Sequence, residues 1–448
     1  MLVMRYFSLQ LFKPLVNVKW KAHFMQLLRK IETDILIPHQ KCSVINGKIF
    51  HSQFWRKKQS AIISSTLLTQ LTKLNLSYLS NILNTTQNLD LSVLEQLINL
   101  EDLDISNNTG VNTSWLKYLV KLVILNIESN ELQNTNFLEY LLNLEEINLS
   151  SNKNTDLQPL SKIIKLKKLN LSDNNLLNIQ FLSTLINLEH LNLENNLDID
   201  ITPLQNLEKL TYLNVQKCNI HSLSDLQFLI NLEQLNISYN PGIDLQSLQN
   251  MIKLVKLQSS WNVLKDINVL RSLINIRELE LQGNKQIDIT PLQYLVKLTN
   301  LSLYGCQIYE ISVLRPLVNL EFLILHDNNI INISPLESLK QLNSLYCEYN
   351  KISDLLSIKQ HHNYENFYMN SQQQPTGEEI IIANKMHIVD ISTAALKRIQ
   401  TLHCGAKNHI QVAQQRSMIT LQQSFNNQES FINNVVSLFN ALNSQCIQ

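Results

Sequence analysis

A leucine or isoleucine stands at positions 100, 122, 144, 166, 188, 210, 232, 254, 276, 298, 320 and 342, each 22 residues after the last without insertion or deletion. Three residues on, every unit carries an aliphatic, from Leu103 and Leu125 to Leu345. Eight residues on it carries Asn, replaced by Cys at Cys218 and Cys306. Further aliphatics fall thirteen, sixteen and nineteen residues after the opening position in most units. A unit this short cannot bury an apolar face by itself. It must stack on its neighbours, so stability becomes a sum over units and their interfaces.

Each column has a physical reading. The LxL pair points inward from a short strand, and successive strands pair in parallel about 4.8 Å apart. The Asn or Cys sits where the strand turns away and satisfies turn backbone groups that lack partners. The cysteines are then buried stand-ins for Asn, not reactive thiols. Thr202-Pro203 and Thr290-Pro291 predict a capping hydroxyl and an N1 proline at the start of a short helical turn. A second period lies over the first: the residue before the opening position alternates Asn and Lys, from Asn99 and Lys121 to Lys297 and Asn319. Units with Asn carry Ile-Asp-Ile or Ile-Asp-Leu in the turn, and units with Lys carry an aliphatic two residues after the Asn or Cys column. The duplication unit is therefore 44 residues, and the pattern supplies no site by itself.

The pattern LxxLxLxxN/CxL resembles the leucine-rich repeat, in the 22-residue class of the type-1 protein phosphatase regulatory subunit and the internalins. NNIINISPLESLKQLNSL, from Asn328 to Leu345, and YNKISDL, from Tyr349 to Leu355, carry the likeness. The resemblance implies an α/β leucine-rich repeat solenoid, with a curved parallel sheet on the concave side, short helical turns on the convex side and helical flanks. The expected organisation is a basic, partly helical flank or cap at 1–66 and the solenoid at 67–358, with degenerate units before residue 100. A linker at 359–375 and a mainly helical region at 376–448 follow. In the first flank, Trp20, Phe24, Leu27, Leu28, Ile31 and Ile35 share a helical face. Thr376 and Glu379 have capping-box spacing.

Residues two, four and six after each opening position are expected on the outer side of the sheet. The middle column contains six consecutive asparagines, Asn126 to Asn236. These either form a stacked amide ladder or are exposed polar positions in an Asn-rich chain. Towards the C-terminal end Tyr304, Phe322, Ile324, His326 and Tyr346 fall on the same face, with Trp261, Tyr239 and Tyr349 at the strand edge. An aromatic cluster there reads as a hot spot for a protein partner, or as a surface covered by the C-terminal flank.

Charge narrows the partner class. Residues 1–66 hold 11 Lys and Arg against 2 Asp and Glu, whereas residues 67–355 hold 20 against 30. Acids on the expected face, among them Asp102, Asp104, Glu128, Glu194 and Glu280, repel phosphates, so the reading is no nucleic acid. No run of eighteen apolar residues occurs, so no membrane span is expected. The six cysteines are scattered singly, which suits a reducing, cytoplasmic location. No phosphate-cradling glycine loop, HExxH, CxxC or GxSxG motif occurs, so no catalysis and no cofactor are expected. His361 with His362, and His403 with Cys404 and His409, fall short of four converging ligands, and no metal is assigned. The expected function is a scaffold or regulatory adaptor binding a protein on the concave face. The alternatives are a phosphatase-regulatory subunit or a secreted internalin-like adhesin.

Overall fold

The computed structural model describes residues 71–79, 91–153 and 155–352, with short strands at Val44–Ile45, Lys48–Ile49 and Asn366–Tyr368. The helix expected at 18–36, the linker, the helical region at 376–448 and the histidine sets at 361–362 and 403–409 lie outside the described residues. The chain has two compact units, Met1–Asn236 and Ile237–Gln448, and the same repeat runs through both.

In the first unit, β1 (Val44–Ile45) and β2 (Lys48–Ile49) form an antiparallel pair. The repeats contribute β3 (Lys73–Asn75), β4 (Asp102–Asp104), β5 (Ile124–Asn126), β6 (Glu146–Asn148), β7 (Lys168–Asn170), β8 (His190–Asn192), β9 (Tyr212–Asn214) and β10 (Gln234–Asn236). Each pairs in parallel with the next. In the second unit, β11 (Lys256–Gln258), β12 (Glu278–Glu280), β13 (Asn300–Ser302), β14 (Phe322–Ile324), β15 (Ser344–Tyr346) and β16 (Asn366–Tyr368) pair the same way. The register matches equivalent columns, Leu103 on Leu125 and Leu279 on Leu301. Behind each strand the chain makes a 3-10 turn of three to five residues, such as Gln158–Lys162 or Thr290–Tyr294. The opening, third and fifth columns are buried together with the turn aliphatics, as at Leu188, Leu191, Leu193 and Leu204. This is the layered α/β solenoid that the period implies.

The turns correct one expectation. Neither Thr202 nor Thr290 caps its turn: the caps are Ile201 and Ile289, which bring no side-chain bond. The aspartate of the Ile-Asp-Ile signature does the work. The Thr202 amide donates to Asp200 Oδ1 at 3.0 Å and the Thr290 amide to Asp288 Oδ1 at 2.9 Å. These are Asx turns, in which a short carboxylate accepts from the backbone two residues on. The Thr290 hydroxyl also donates to Asp288, and the bonds from Thr290 hold that carboxyl below its ordinary range. Asp244, Asp266 and Asn332 make the same turn. The prolines do stand in the first turn, at Pro203 and Pro291 as expected.

The column eight residues after each opening position is a buried hydrogen-bond ladder. Asn174 Nδ2 donates to the carbonyls of Leu171, 2.9 Å, and of Leu149 one repeat earlier, 3.0 Å. Its Oδ1 accepts the amide of Asn152 at 2.6 Å. Asn196 repeats the pattern, but its Oδ1 accepts two amides, Asn174 at 3.1 Å and Leu176 at 3.0 Å. That difference follows the 44-residue period. Where an Asn-type unit precedes, the amide ten residues after its opening position donates to a backbone carbonyl of the next unit, as Asp198 does to Cys218 and Gln286 to Cys306. The ladder side chain in a Lys-type unit is thus asked for one acceptor instead of two. Both substitutions by cysteine, Cys218 and Cys306, fall in Lys-type units, where the smaller demand makes the loss of an amide tolerable. Each thiol donates to the carbonyl one repeat back, Leu193 or Leu281, at 3.2 Å.

Burial pushes both thiols up to about 11, and pushes the Cys347 thiol up as well. At pH 8, native protein is therefore expected to leave Cys218, Cys306 and Cys347 unmodified by iodoacetamide, with labelling only after unfolding, as peptide mass spectrometry would show. Because these folded values lie above the unfolded thiol value, their contribution to stability is present below about pH 8.5 and is lost between there and pH 11. Rapid labelling of native Cys306 would remove the structural role.

The alternation one residue earlier is also structural. Lys121 Nζ donates to Asn99 Oδ1 at 2.6 Å and Lys165 to Asn143 at 2.8 Å. Asn143 Nδ2 in turn donates to the carbonyl of Val120 at 3.0 Å. Each Lys-type unit clips onto the Asn-type unit before it.

Candidate functional site

Side chains of the strands alternate, so the central residue of each is buried and its neighbours face outwards, as in the partly buried–buried–partly buried pattern of β5, β6 and β14. Along the first unit the outward column is the asparagine run. Asn126, Asn148, Asn170, Asn192 and Asn214 each accept, through Oδ1, the amide two residues on in their own chain. The amides are held locally and not stacked on one another as a ladder. Two of them, Asn148 and Asn214, direct Nδ2 to Glu128 and Glu194. Asn148, Asn170 and Asn192, with Glu146, Lys168, His190 and Tyr212, line a depression of about 320 Å³. Lys168 pairs with Glu146 at 3.1 Å and the rings of His190 and Tyr212 stack at 5.8 Å.

The position six residues on is outward only where its side chain is large. Ser106, Ser150, Ser172, Ser238 and Ser260 are buried in the turn, a departure from the expected outward column. A serine there is too short to reach past the strand.

All eight sequence-predicted site residues belong to the second unit, and they fall into two groups. Tyr239 stacks on Trp261, ring centroids 6.2 Å apart, and Trp261 meets Tyr304 edge-on at 6.1 Å. Tyr304 lies flat on His326 at 4.1 Å. Four of five consecutive repeats thus contribute to one aromatic row, the repeat between Trp261 and Tyr304 supplying Gly283. Phe322 contacts Tyr346 at 5.4 Å on β14 and β15, with Ile324 on the same face. Tyr304, Phe322, Ile324, His326 and Tyr346 are half-buried by these contacts, whereas Tyr239, Trp261 and Tyr349 are exposed by 44%, 36% and 60%.

The exposed three share a backbone feature. The residue seven after each opening position adopts positive φ in every repeat, including Asn107, Asp173 and Asn195, which tolerate it, and Gly283 and Gly305, which favour it. Tyr239, Trp261 and Tyr349 occupy the same position at φ 59°, 58° and 53°. A bulky residue there is strained by about 1–3 kcal/mol. Trp261 is accommodated because the next repeat has glycine: a Cβ on Gly283 would lie 2.4 Å from the indole. Glycine at 283 after tryptophan at 261 was the signal in sequence that could have found this arrangement.

A surface that sequence reasoning missed lies two residues before each opening position. In the first unit Ile98, Val120, Leu142, Ile164 and Ile186 are each exposed by roughly half, and in the second unit Ile252, Ile274, Val296 and Val318 repeat the stripe. This aliphatic column, interrupted at Glu208 and Lys340, could have been read from the sequence beside the Asn/Lys alternation.

The repeat geometry has known counterparts. The family model "Leucine Rich repeats (2 copies)" matches residues 318–360. An internalin of Listeria monocytogenes is 26% identical over 73% of this chain and 88% of its own, with a TM-score of 0.60. The chain is a leucine-rich repeat protein. It resembles the internalins, and two more distant solved structures share the fold. A leucine-rich repeat protein of Leptospira interrogans is 24% identical over 73% of this chain and 92% of its own, with a TM-score of 0.59. The functional domain of InlJ from Listeria monocytogenes, described as including a cysteine ladder, is 20% identical over 72% of this chain and 73% of its own, with a TM-score of 0.53. No curated protein matches the chain in sequence. Leucine-rich repeat proteins act as interaction scaffolds or receptors and are in general non-catalytic. No helix among the described residues of this one is long and apolar enough to cross a membrane.

Proposed function

We propose that this leucine-rich repeat protein is a non-catalytic scaffold or regulatory adaptor, and that it binds a protein partner through the aromatic face of the second unit. The observation that carries the reading is the row Tyr239–Trp261–Tyr304–His326 with its strained members. Residues held at unfavourable φ and still exposed return little packing for the strain, and such strain concentrates where a ligand is clamped. Aromatic side chains are also the commonest anchors of protein interfaces.

Affinity capture with the Tyr304→Ala/Phe322→Ala/Tyr346→Ala chain tests this. Loss of a specific partner, with the circular dichroism spectrum unchanged, is the expected result. An unchanged partner list sinks the reading and turns attention to the exposed aliphatic stripe. A phosphatase catalytic subunit among the captured proteins would narrow the function to a phosphatase regulator. The singly placed thiols support a cytoplasmic location, and recovery in the secreted fraction would instead favour an internalin-like adhesin.

A further inference from the structure

The aliphatic stripe of the first unit serves neither the core nor the aromatic face. Ile98, Val120, Leu142, Ile164 and Ile186 come from five successive repeats, and the one-to-one strand register sets them in a row. The backbone beneath them is pinned, because Asn143 Nδ2 donates to the carbonyl of Val120 and Asn187 Nδ2 to that of Ile164. Tyr118 and Tyr140 are exposed as well, two residues ahead of Val120 and Leu142, with the buried Leu119 and Leu141 between. Side chains of this size, each about half exposed, leave about 750 Å² of apolar surface open, above the about 300–600 Å² of the largest patch on a typical monomer. That area approaches the about 800 Å² which one partner contributes to a standard protein interface.

Beside the stripe the sign of charge alternates from repeat to repeat. The repeats of Val120 and Ile164 carry Lys121 and Lys165, each hydrogen-bonded to an asparagine and in no ion pair among the described residues. The repeats of Ile98, Leu142 and Ile186 carry Glu101, Glu145 and Glu189 three residues after the stripe. Lys167, which pairs with Glu145 at 2.8 Å, adds to the positive repeat of Ile164. A guest of one sign meets like charge at every second repeat. A second copy does not, because a two-fold axis reverses the order of the repeats. With the axis between the repeats of Leu142 and Ile164, Leu142 faces Ile164 and Val120 faces Ile186. Glu145 then comes opposite Lys165, and Lys121 opposite Glu189. An axis through the repeat of Leu142 would instead set Lys121 against Lys165, so charge selects the register.

We propose that the chain forms a two-fold dimer through this stripe, with Leu142 of one copy packed on Ile164 of the other. The aromatic residues of the second unit take no part in it.

Sedimentation velocity on the full chain is the test. The native chain is expected to sediment as a dimer at about 50 µM. Leu142→Glu/Ile164→Glu, which sets carboxylates face to face, is expected to be monomeric with an unchanged circular dichroism spectrum. Lys121→Glu should raise the dissociation constant about tenfold, and adding Glu189→Lys should restore it. A native chain that is monomeric at that concentration overturns the proposal, as does a dimer that survives the double glutamate substitution. An unchanged constant in Lys121→Glu, or no rescue by Glu189→Lys, overturns the register of the two copies. Where the double variant does not fold, the charge swap decides alone.

Discussion

Asn196→Ala is expected to lower the unfolding free energy by about 4 kcal/mol, and Asn174→Ala by about 2 kcal/mol, although the two asparagines look equivalent in sequence. Both side chains are buried, at 0% and 1% exposure, and both donate Nδ2 to two strand carbonyls. The difference is on the acceptor side. Alanine at 196 leaves the amides of Asn174 and Leu176 without their partner, whereas alanine at 174 strands, among the described residues, the amide of Asn152 alone. A buried, unsatisfied amide costs about 1–3 kcal/mol, which sets the separation. Replacement by cysteine should preserve the ranking, with Asn174→Cys milder than Asn196→Cys. Urea unfolding followed by circular dichroism measures all four. Equal losses at the two positions would mean that the two-unit alternation of hydrogen bonds has no energetic content. An outward asparagine such as Asn170, bonded only to the Ser172 amide, is the control and should cost under about 1 kcal/mol.

Gly283→Ala should destabilise the chain by about 3 kcal/mol, and most of that should vanish when Trp261 is removed as well. Two penalties act at this position. The backbone sits at φ 70°, where any side chain costs about 1–2 kcal/mol. The added methyl would also stand 2.4 Å from the Trp261 indole, far inside contact distance, so the ring must leave. In the Trp261→Ala background only the backbone penalty remains, about 1 kcal/mol. A double-mutant cycle isolates the coupling, which is expected to be about 1–2 kcal/mol. Gly283→Ala should also weaken partner capture, because the displaced indole breaks the aromatic row. Additive effects in the cycle would show that the indole does not rest on Gly283 in solution.

Much of this molecule was legible in one dimension because a repeat fold is nearly one-dimensional. Each unit touches only its neighbours, so a 22-residue period prescribes parallel pairing, register and the buried columns at once. The replacement of Asn by Cys was readable as burial for the same reason. The aromatic residues, too, could be assigned to one face by counting from the opening leucine.

What could not be counted was the exchange of hydrogen bonds between units. The aspartate of Ile-Asp-Ile closes its turn through the backbone two residues on, and no periodicity says which oxygen an amide will choose. The side chains of Thr202 and Thr290 suit that cap chemically, yet the caps are Ile201 and Ile289. Likewise the serines six residues after the opening position lie on the outward side by count but are buried by their size.

By itself, then, the sequence determined the leucine-rich solenoid, its strand register, its buried asparagine column and the face on which the aromatics lie. All of these depend on spacing along the chain. Tertiary structure alone decided that Trp261 lies over Gly283, that Tyr304 stacks on His326, and that a carboxylate faces the open floor at Gly305. The first and the last depend on side-chain direction at a left-handed backbone position. A ring there leans across the neighbouring repeat, and where it comes to rest is settled by what that repeat leaves empty.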